Sequence, residues 1–356
     1  MHLPPEDLIP APLPPDWPEP EALGFGQYLG PYLIEAGHSD TAGWAAPVVT
    51  PRAAAPVAVA SGVTQYGLSV FEGIKAYRGH DGRVHLFRPF DHARRLRASA
   101  RRLAMPEPPD ELFMQLARLA VQVHERYVPP HGRGALYLRP TLFADEECLG
   151  LRPARHHRFS IAVMPCSDPA PKTLRLWAEP ELIRAAPGGL GAAKTGANYA
   201  AGIGGLLRAR ERGYDDVAWL DAATHTRLGE AGTMNLFVQI GAEVLTPPLD
   251  GTILAGITRD SVIRLLRETG TRVSEQAVSL DELATAQTAG VLGTAFGVGT
   301  AARLVRITEV SDDRRFLTFP DTGLTTDLAA ALKAVQEGPA PGRADDRHSD
   351  WRVAVT

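Results

Sequence analysis

The sequence predicts a mixed α/β protein of two domains, and three observations carry that expectation. Strand-like apolar runs alternate with amphipathic helices. The chain has 356 residues, enough for two substantial cores. A short polar segment, Cys166-Ser167-Asp168-Pro169-Ala170-Pro171-Lys172, places two prolines where a linker belongs. The expected division is an extended arm over 1–24, a small α/β domain over 25–166, an interdomain loop over 167–173 and a large α/β domain over 174–356.

Hydrophobic residues make up 44% of the chain and charged residues 22%, the balance of an ordinary globular protein. The net charge of −4 argues against nucleic acid or an anionic membrane surface as partner. Two cysteines, Cys148 and Cys166, are too few for a disulfide framework or a cysteine zinc site and fit a reducing compartment. No apolar run is long enough to span a membrane. The acidic, proline-rich opening lacks the basic flank and apolar core of a signal peptide, so it reads as a partly disordered arm and the expected location is cytoplasmic.

Taken in order, Ala93, Leu96, Ala100 and Leu103 recur at spacings of three and four, which predicts a helix over Asp91–Leu103 with Asp91 as cap and Pro106 beyond its end. Leu112, Leu116, Leu119, Ala120 and Val123 predict a second helix over Asp110–Arg126. Ala135–Leu138, Phe159–Met164 and Leu174–Trp177 read as strands. Val217–Leu220 and Met234–Ile240 read as two strands around a turn, and Thr246–Gly251 as a loop. A helix over Ile257–Glu268 is ended by Gly270. The polar stretch 338–350 precedes a terminal Trp351.

The segment Gly188-Gly189-Leu190-Gly191-Ala192-Ala193-Lys194-Thr195-Gly196-Ala197-Asn198-Tyr199 sets one lysine among small residues, with a tyrosine five positions on. Small residues let the backbone turn and a ligand approach. A lysine held there in a dry pocket is a candidate nucleophile, and a lysine in a surface turn is the plain alternative. Glu230, between Gly229 and Gly232 and just before an apolar strand, is either a turn carboxylate or an anion facing a heterocyclic nitrogen. Gly256 runs directly into a helix at Ile257-Thr258, a start that suits phosphate. The tract Leu292–Ala301 offers small residues and hydroxyls for a phosphate or for close packing. Arg88, Arg94, Arg95, Arg97, Arg101 and Arg102 crowd one segment, of which one or two could reach a phosphate. Tyr66, Tyr137 and Arg139 sit beside strands, where they either fill the core or line an amino-acid pocket. No cluster has metal-ligand spacing, and no G-x-S-x-G motif occurs.

A lysine and a glutamate accompanied by a phosphate-binding helix start and an arginine describe a pyridoxal 5'-phosphate site. Together the motifs resemble the branched-chain aminotransferase family, of the class IV, D-amino-acid-aminotransferase-like fold (fold type IV). The resemblance runs from about Phe25 to the C-terminus and rests on YGLSVFEGIKAYR (66–78), LFRPFDHARRLRASARRLAMP (86–106), YLRPTLFADEECLG (137–150), residues 188–201, EAGTMN (230–235) and LTPPLDGTILAGITRD (245–260). It implies that Lys194 is the Schiff-base lysine, that Tyr199 hydrogen-bonds the pyridoxal 3-oxygen, and that Glu230 partners the ring nitrogen. It implies Arg95, Ile257, Thr258 and Thr300 as phosphate contacts, and Tyr66, Tyr137, Arg139, Thr233 and Ala301 as substrate-pocket positions. Gly293-Thr294-Ala295 competes with Gly299-Thr300-Ala301, and the second is preferred because 302–307 continues in the family's manner. The implied activity is ping-pong transamination between Leu, Ile or Val and 2-oxoglutarate, by a homodimer with the cofactor between its domains.

Two departures bear on the substrate. Tyr28-Leu29-Gly30-Pro31-Tyr32 stands where the family has a Phe-Thr-Asp-His-like stretch. The loop Ser167-Asp168-Pro169-Ala170-Pro171 is shorter than the family's, which implies a more open pocket and a bulkier or non-standard amino acid as the alternative substrate. A D-amino-acid aminotransferase or aminodeoxychorismate lyase is the alternative enzyme. A non-catalytic binding module would lack Lys194 or Glu230, and both are present.

Overall fold

The computed structural model describes residues 10–168, 172–338 and 347–355. The first nine residues of the expected arm, 169–171 of the expected interdomain loop and 339–346 of the polar stretch lie outside the described residues. The chain divides into two compact units, Met1–Pro169 with Ala193–Gly196 and Lys333–Thr356, and Ala170–Ala192 with Ala197–Leu332. The sequence reading assigns 193–196 and 333–356 to the second domain instead. Backbone pairing explains the difference. The Phe71 N–H donates to the Lys194 carbonyl at 2.9 Å, Thr195 bridges to Val70, and a C-terminal strand, Arg352–Ala354, pairs with Phe87, Leu86 and His85.

The first unit holds strands β1 (Tyr32–Ser39), β2 (Gly43–Trp44), β3 (Val48–Pro51), β4 (Ser69–Phe71), β5 (Ile74–Arg78), β6 (Val84–Phe87), β7 (Gly134–Ala144) and β8 (His156–Ser167). With the C-terminal strand they form one sheet, in the order C-terminal strand, β6, β5, β7, β8, β1, β2, with β3 on β1 and β4 on β7. Its helices are α1 (Gly62–Tyr66), α2 (Pro89–Arg102) and α3 (Asp110–Val123). Leu96 and Ala100 of α2 and Phe113, Leu116 and Ala120 of α3 share a core with Ile34, Ile74, Leu136, Leu138 and Phe159 of the sheet. Side chains alternate along a strand, so Leu136 and Leu138 inside this core send Tyr137 and Arg139 to the opposite face.

Both predicted helices exist, with shifted ends. Helix α2 starts at Pro89, whose fixed φ suits a first helical position, and Arg88 at φ 50 is the N-cap in place of Asp91. Asp91 instead pairs with Arg88 and Arg94 in the first turn. Helix α3 stops at Val123, and Glu125–Tyr127 continues as a 3₁₀ turn. The arm, expected to be partly disordered, is packed from residue 10 onward. Ala11 donates to the Val123 carbonyl, Trp17 sets its ring edge-on to Tyr28 and Tyr127, and Ser167 Oγ donates to the Pro20 carbonyl while accepting from the Gly24 N–H.

The second unit holds β9 (Thr173–Ala178), β10 (Asp216–Leu220), β11 (Leu228–Ala231), β12 (Met234–Ile240), β13 (Glu243–Thr246), β14 (Arg272–Glu275), β15 (Leu292–Gly299), β16 (Arg303–Ser311) and β17 (Phe316–Thr318). They run β11, β10, β9, β16, β15, β12, β13, β14, with β17 on β16, and a further β11–β12 pairing closes six of them into a ring. Val217–Leu220 and Met234–Ile240 are therefore not partners around a turn. Strand β11, which carries Glu230, lies between them and reaches β12 through the two-residue turn Gly232-Thr233, where Gly232 takes φ 56. The glycine–threonine tract is the buried strand β15. Helix α4 (Gly196–Glu211) follows Lys194, α5 (Ile257–Glu268) has the predicted bounds, and α6 (Leu280–Thr288) starts on a Ser279/Glu282 capping box. Helix α7 (Leu324–Glu337) precedes the C-terminal stretch. Among the described residues no helix is long and apolar enough to cross a membrane.

Two adjacent glycines of α4 separate packing from propensity. A Cβ on Gly205 would come within 2.4 Å of the Trp219 ring, whereas one on Gly204 would meet Leu182 at an ordinary 3.7 Å. Urea unfolding should show Gly204→Ala stabilising by about 0.5–1 kcal/mol, the helix-propensity gain. Gly205→Ala should destabilise by about 1–3 kcal/mol despite the same gain, because the ring must shift.

Candidate active site

In the first unit, Lys194 is half-buried and its backbone is fixed on three sides. Its N–H donates to Ser99 Oγ at 2.9 Å, its carbonyl accepts from Phe71, and the Thr195 hydroxyl donates to the Ser69 carbonyl at 2.8 Å. Its Nζ lies 4.8 Å from the centre of the Phe71 ring. Arg139 Cζ lies 4.8 Å from the same ring and 5.2 Å from that of Tyr137. Arg139 Nη2 donates to the Tyr137 hydroxyl at 3.1 Å, while its buried Nε has no hydrogen-bond partner among the described residues. Burial raises the Tyr137 phenol above its ordinary value, against the pull of Arg139. Tyr137 also meets Gly73 at the closest possible range, since a Cβ there would fall 1.9 Å from its hydroxyl.

Arg95 reaches the site from α2. Its Nε and Nη2 grip the two oxygens of Glu72 at 2.6 and 2.7 Å, and His92 Nδ1 meets Glu72 Oε2 at 2.7 Å. This fork leaves one edge of the guanidinium plane turned away from Glu72. Tyr66 is 47% exposed, donates to the Leu149 carbonyl and lines a cavity of about 420 Å³ with Cys148, Leu151 and Arg152.

In the second unit, Glu230 is 5% exposed at its side chain and held on both oxygens. Oε1 accepts from Asn235 Nδ2 and from the Leu254 N–H, each at 3.1 Å, and Oε2 pairs with Arg184 Nε at 2.8 Å. Asn235 also donates to the Leu254 carbonyl, and a Cβ on Gly256 would fall 2.0 Å from Asn235 Oδ1. Glycine at 256 therefore lets the start of α5, with Ile257 and Thr258, come down beside Glu230. That start carries no side-chain cap. Strand pairing sets Val298 opposite Asn235, which brings the following turn with Thr300 and Ala301 to the same end of the sheet. Thr233 is exposed in the β11–β12 turn, and Tyr199 is half-buried in the first turn of α4. Thr294 is fully buried, with its hydroxyl on the Pro320 carbonyl at 2.8 Å. No metal-binding cluster occurs among the described residues.

The amino-transferase class IV family model matches residues 69–304. The branched-chain-amino-acid transaminase 1 of Bacillus subtilis is 40% identical over 83% of this chain and 84% of its own length. The chain belongs to the branched-chain-amino-acid aminotransferases of class IV. A second relative of that family, from Mycolicibacterium smegmatis, is 38% identical over 93% of this chain and 92% of its own. Among solved structures, the branched-chain aminotransferase of Thermoproteus uzoniensis with norvaline superposes with a TM-score of 0.74 at 25% identity, covering 91% of this chain and all of that one.

Four residues escape the sequence reading: Phe71, Glu72 and His92 of the first unit's cluster, and Arg184 of the second's. Phe71 and Glu72 sit inside the quoted motif 66–78, and an acidic residue in a stretch otherwise apolar was the available signal. Arg184 carries no local signal, because its partner Glu230 lies 46 positions away.

Burial alone pushes the Glu72 carboxyl up, but the charge and hydrogen bonds of Arg95, then those of His92, outweigh it and hold the group far below its ordinary 4.5. The His92 imidazole is held below its ordinary 6.5, chiefly by burial, against the opposing effect of Glu72. A group whose native pKa lies below its unfolded value adds stability at higher pH and loses it as pH falls. Stability measured by urea unfolding should thus begin to decline below 6.5 through His92 and fall further below 4.5 through Glu72. Glu72→Gln should cost about 1.5–3 kcal/mol at neutral pH by removing the charged hydrogen bonds between Glu72 and half-buried Arg95, and should remove the lower component of the pH dependence.

Proposed function

We propose that the chain transfers the amino group of branched-chain L-amino acids to 2-oxoglutarate in a ping-pong cycle, with pyridoxal 5'-phosphate as cofactor. The observation that carries this reading is the Phe71 ring, with Lys194 Nζ and Arg139 Cζ each 4.8 Å from its centre. An α-amino acid presents an amine beside a carboxylate. Here a primary amine and a guanidinium with an unmatched Nε share one aromatic partner.

Each unit supplies groups of the kind the cofactor needs. In the second, the helix start behind Gly256, which has no side-chain cap, suits a phosphate and Thr300 supplies a hydroxyl in a turn; in the first, Arg95 supplies a guanidinium. Thr294 is committed to Pro320, which supports Thr300 over it. Tyr199 serves the 3-oxygen and Glu230 the ring nitrogen. When bound, the cofactor supplies an electron sink for the charge left as the substrate loses its α-proton. Lys194 holds the cofactor between turnovers, takes the proton from the substrate Cα and delivers one to C4′, acting as base and then acid. Arg139 reads the substrate carboxylate, with Tyr137 fixing its plane. Tyr66 of the first unit and Thr233 and Ala301 of the second are the remaining substrate residues of this reading. Side chains that differ by one methylene are separated only weakly by a binding pocket, so Leu, Ile and Val are all substrates in this reading.

A homodimer is part of the same reading. Val59, Leu149 and Leu151 are 80%, 63% and 83% exposed. Their loops form one patch through the Cys148 N–H on the Ala60 carbonyl, the Ser61–Glu147 bridge and the Tyr66 bond to Leu149. A second copy covering that patch removes the apolar surface from water. Two free cysteines support a reducing, cytoplasmic setting.

Spectral titration of the purified protein, supplied with pyridoxal 5'-phosphate, tests the function. L-leucine, L-isoleucine and L-valine should each bleach the visible band, and 2-oxoglutarate should restore it. Bleaching by a D-isomer or a bulkier amino acid alone overturns the substrate, and a protein that takes up no cofactor overturns the reaction. Lys194→Ala should lower kcat by about 10²–10⁴-fold or more. Arg139→Gln should raise the amino-acid KM by about 10–100-fold, the effect of losing a charged hydrogen bond. Steady-state kinetics with the three amino acids checks both.

A further inference from the structure

Ser99 carries no part of the function proposed above, yet it is an odd residue for its place. It is 1% exposed on α2, among Ala93, Leu96 and Ala100, which fill the core of the first unit. A serine buried inside a helix commonly turns its hydroxyl back to the carbonyl four residues earlier. Ser99 reaches elsewhere. Its Oγ accepts the Lys194 backbone N–H at 2.9 Å, across 95 positions of sequence, and this is the one hydrogen bond it makes among the described residues.

The same face of α2 carries Arg95 one turn earlier and His92 one turn before that, because residues three and four apart share a helix face. Arg95 and His92 both hold Glu72. Helix α2 thus has two stripes. One is apolar and fills the core, and the other, His92, Arg95 and Ser99, meets Glu72 and the lysine segment. Lys194 is also fastened to β4. Its carbonyl accepts from the Phe71 N–H at 2.9 Å, and the buried Thr195 donates its hydroxyl to the Ser69 carbonyl at 2.8 Å. Of these holds, Ser99 is the one that reaches α2. It ties the lysine's amide to the helix that presents Arg95, and four residues of helix set the two positions about 6 Å apart along its axis.

We propose that Ser99 is a positioning residue: it fixes the main chain of Lys194 against α2, so that the Lys194 amine stays within reach of the protons it moves. A lysine side chain is a flexible four-carbon stem. Where its Nζ can go is set by its anchored end and by the groups the amine meets, the Phe71 ring at 4.8 Å among them. Proton transfer needs hydrogen-bond reach, and a misplacement of about 1 Å can cost ~10²-fold in rate. With Phe71 and Thr195 still holding the segment, loss of the Ser99 hydroxyl costs less than that. The proposal rests on the reading that Lys194 holds the cofactor and moves the proton.

The test uses the full chain loaded with pyridoxal phosphate. Labelling with ¹⁵N-lysine marks the backbone amides of Lys75, Lys172, Lys194 and Lys333, and the signal missing from Lys194→Arg is that of Lys194. In Ser99→Ala this amide should exchange with deuterium about 3–10-fold faster than in the wild type, and kcat should fall about 3–10-fold, the size of one neutral hydrogen bond. KM for the amino acid should stay within about twofold, since Arg139 is untouched. The effect of α-deuterating the amino acid on kcat should be at least that of the wild type, because the slowed step is the proton transfer, and a smaller one overturns the proposal. Ala93→Gly, which loosens the same helix from its core side, should lower stability and leave kcat as it is. Exchange in Ser99→Ala no faster than in Ala93→Gly overturns the proposal. Faster exchange at unchanged kcat also overturns it, since Ser99 then does no more than satisfy a buried N–H. If Ser99→Ala does not fold, Ser99→Cys, close in shape and only a weak acceptor, decides by the same exchange and kcat. Borohydride reduction of the wild type tells the two readings apart. If it does not fix the cofactor to Lys194, the Lys194 reading falls and the proposal with it. If it does and Ser99→Ala matches the wild type, the proposal alone falls.

Discussion

Burying a carboxylate without partners costs several kcal/mol, and the side chain of Glu230 is 5% exposed. The second unit is arranged around that constraint. The hairpin turn Gly232-Thr233 returns the chain so that Asn235 stands opposite Glu230 and donates to it. The same Asn235 fills the space where a side chain at position 256 would go, so glycine there is a steric requirement of the glutamate's own clamp. The α5 start, the Leu254 N–H and the Arg184 guanidinium all converge on one carboxylate. The phosphate end and the ring-nitrogen end of the proposed cofactor site are thus consequences of one set of contacts.

The first unit solves a matching problem. There the fully buried charge is Glu72, and it is held by half-buried Arg95 and by His92. A guanidinium on a flexible stem carries about 2 kcal/mol of rotamer entropy. The two-point grip of Glu72 removes most of that freedom before any ligand arrives. Phe71, the residue before Glu72, carries the Lys194 and Arg139 contacts on its ring. One short stretch of β4 and its continuation therefore orients Arg95 through Glu72 and meets Lys194 and Arg139 through Phe71, so the motif 66–78 carries contacts to three of the proposed site residues.

Legibility followed sequence distance. Helix α5 was read to its true bounds because its periodicity, its glycine start and Gly270 are all local signals. Helix α2 was read two residues late because Asp91 is a good cap by composition, whereas the actual start depends on Pro89 and on Arg88 taking a left-handed backbone conformation. Strand β11 went unread: Leu228–Ala231 is four residues long, with glycine inside it, and has no alternation to detect. Its omission made β10 and β12 look like neighbours. The arm looked unstructured because prolines and acids carry no periodicity, yet Trp17, Ala11 and the Pro20 carbonyl find partners more than a hundred residues away.

Sequence by itself determined the fold class, the family and the identities of the groups proposed to carry the chemistry, because those depend on residue type and short-range order. Lys194 among small residues, Glu230 between glycines and Gly256 before a helix are all legible in one dimension. Tertiary structure decided which partners those groups have. Arg184 lies 46 positions from Glu230, and Glu72 lies 23 positions from Arg95. It also decided that Thr294 is satisfied inside the unit while Thr300 sits in a turn. Charge compensation and hydrogen-bond satisfaction act between atoms a few ångströms apart, and only folding brings such distant positions to that range.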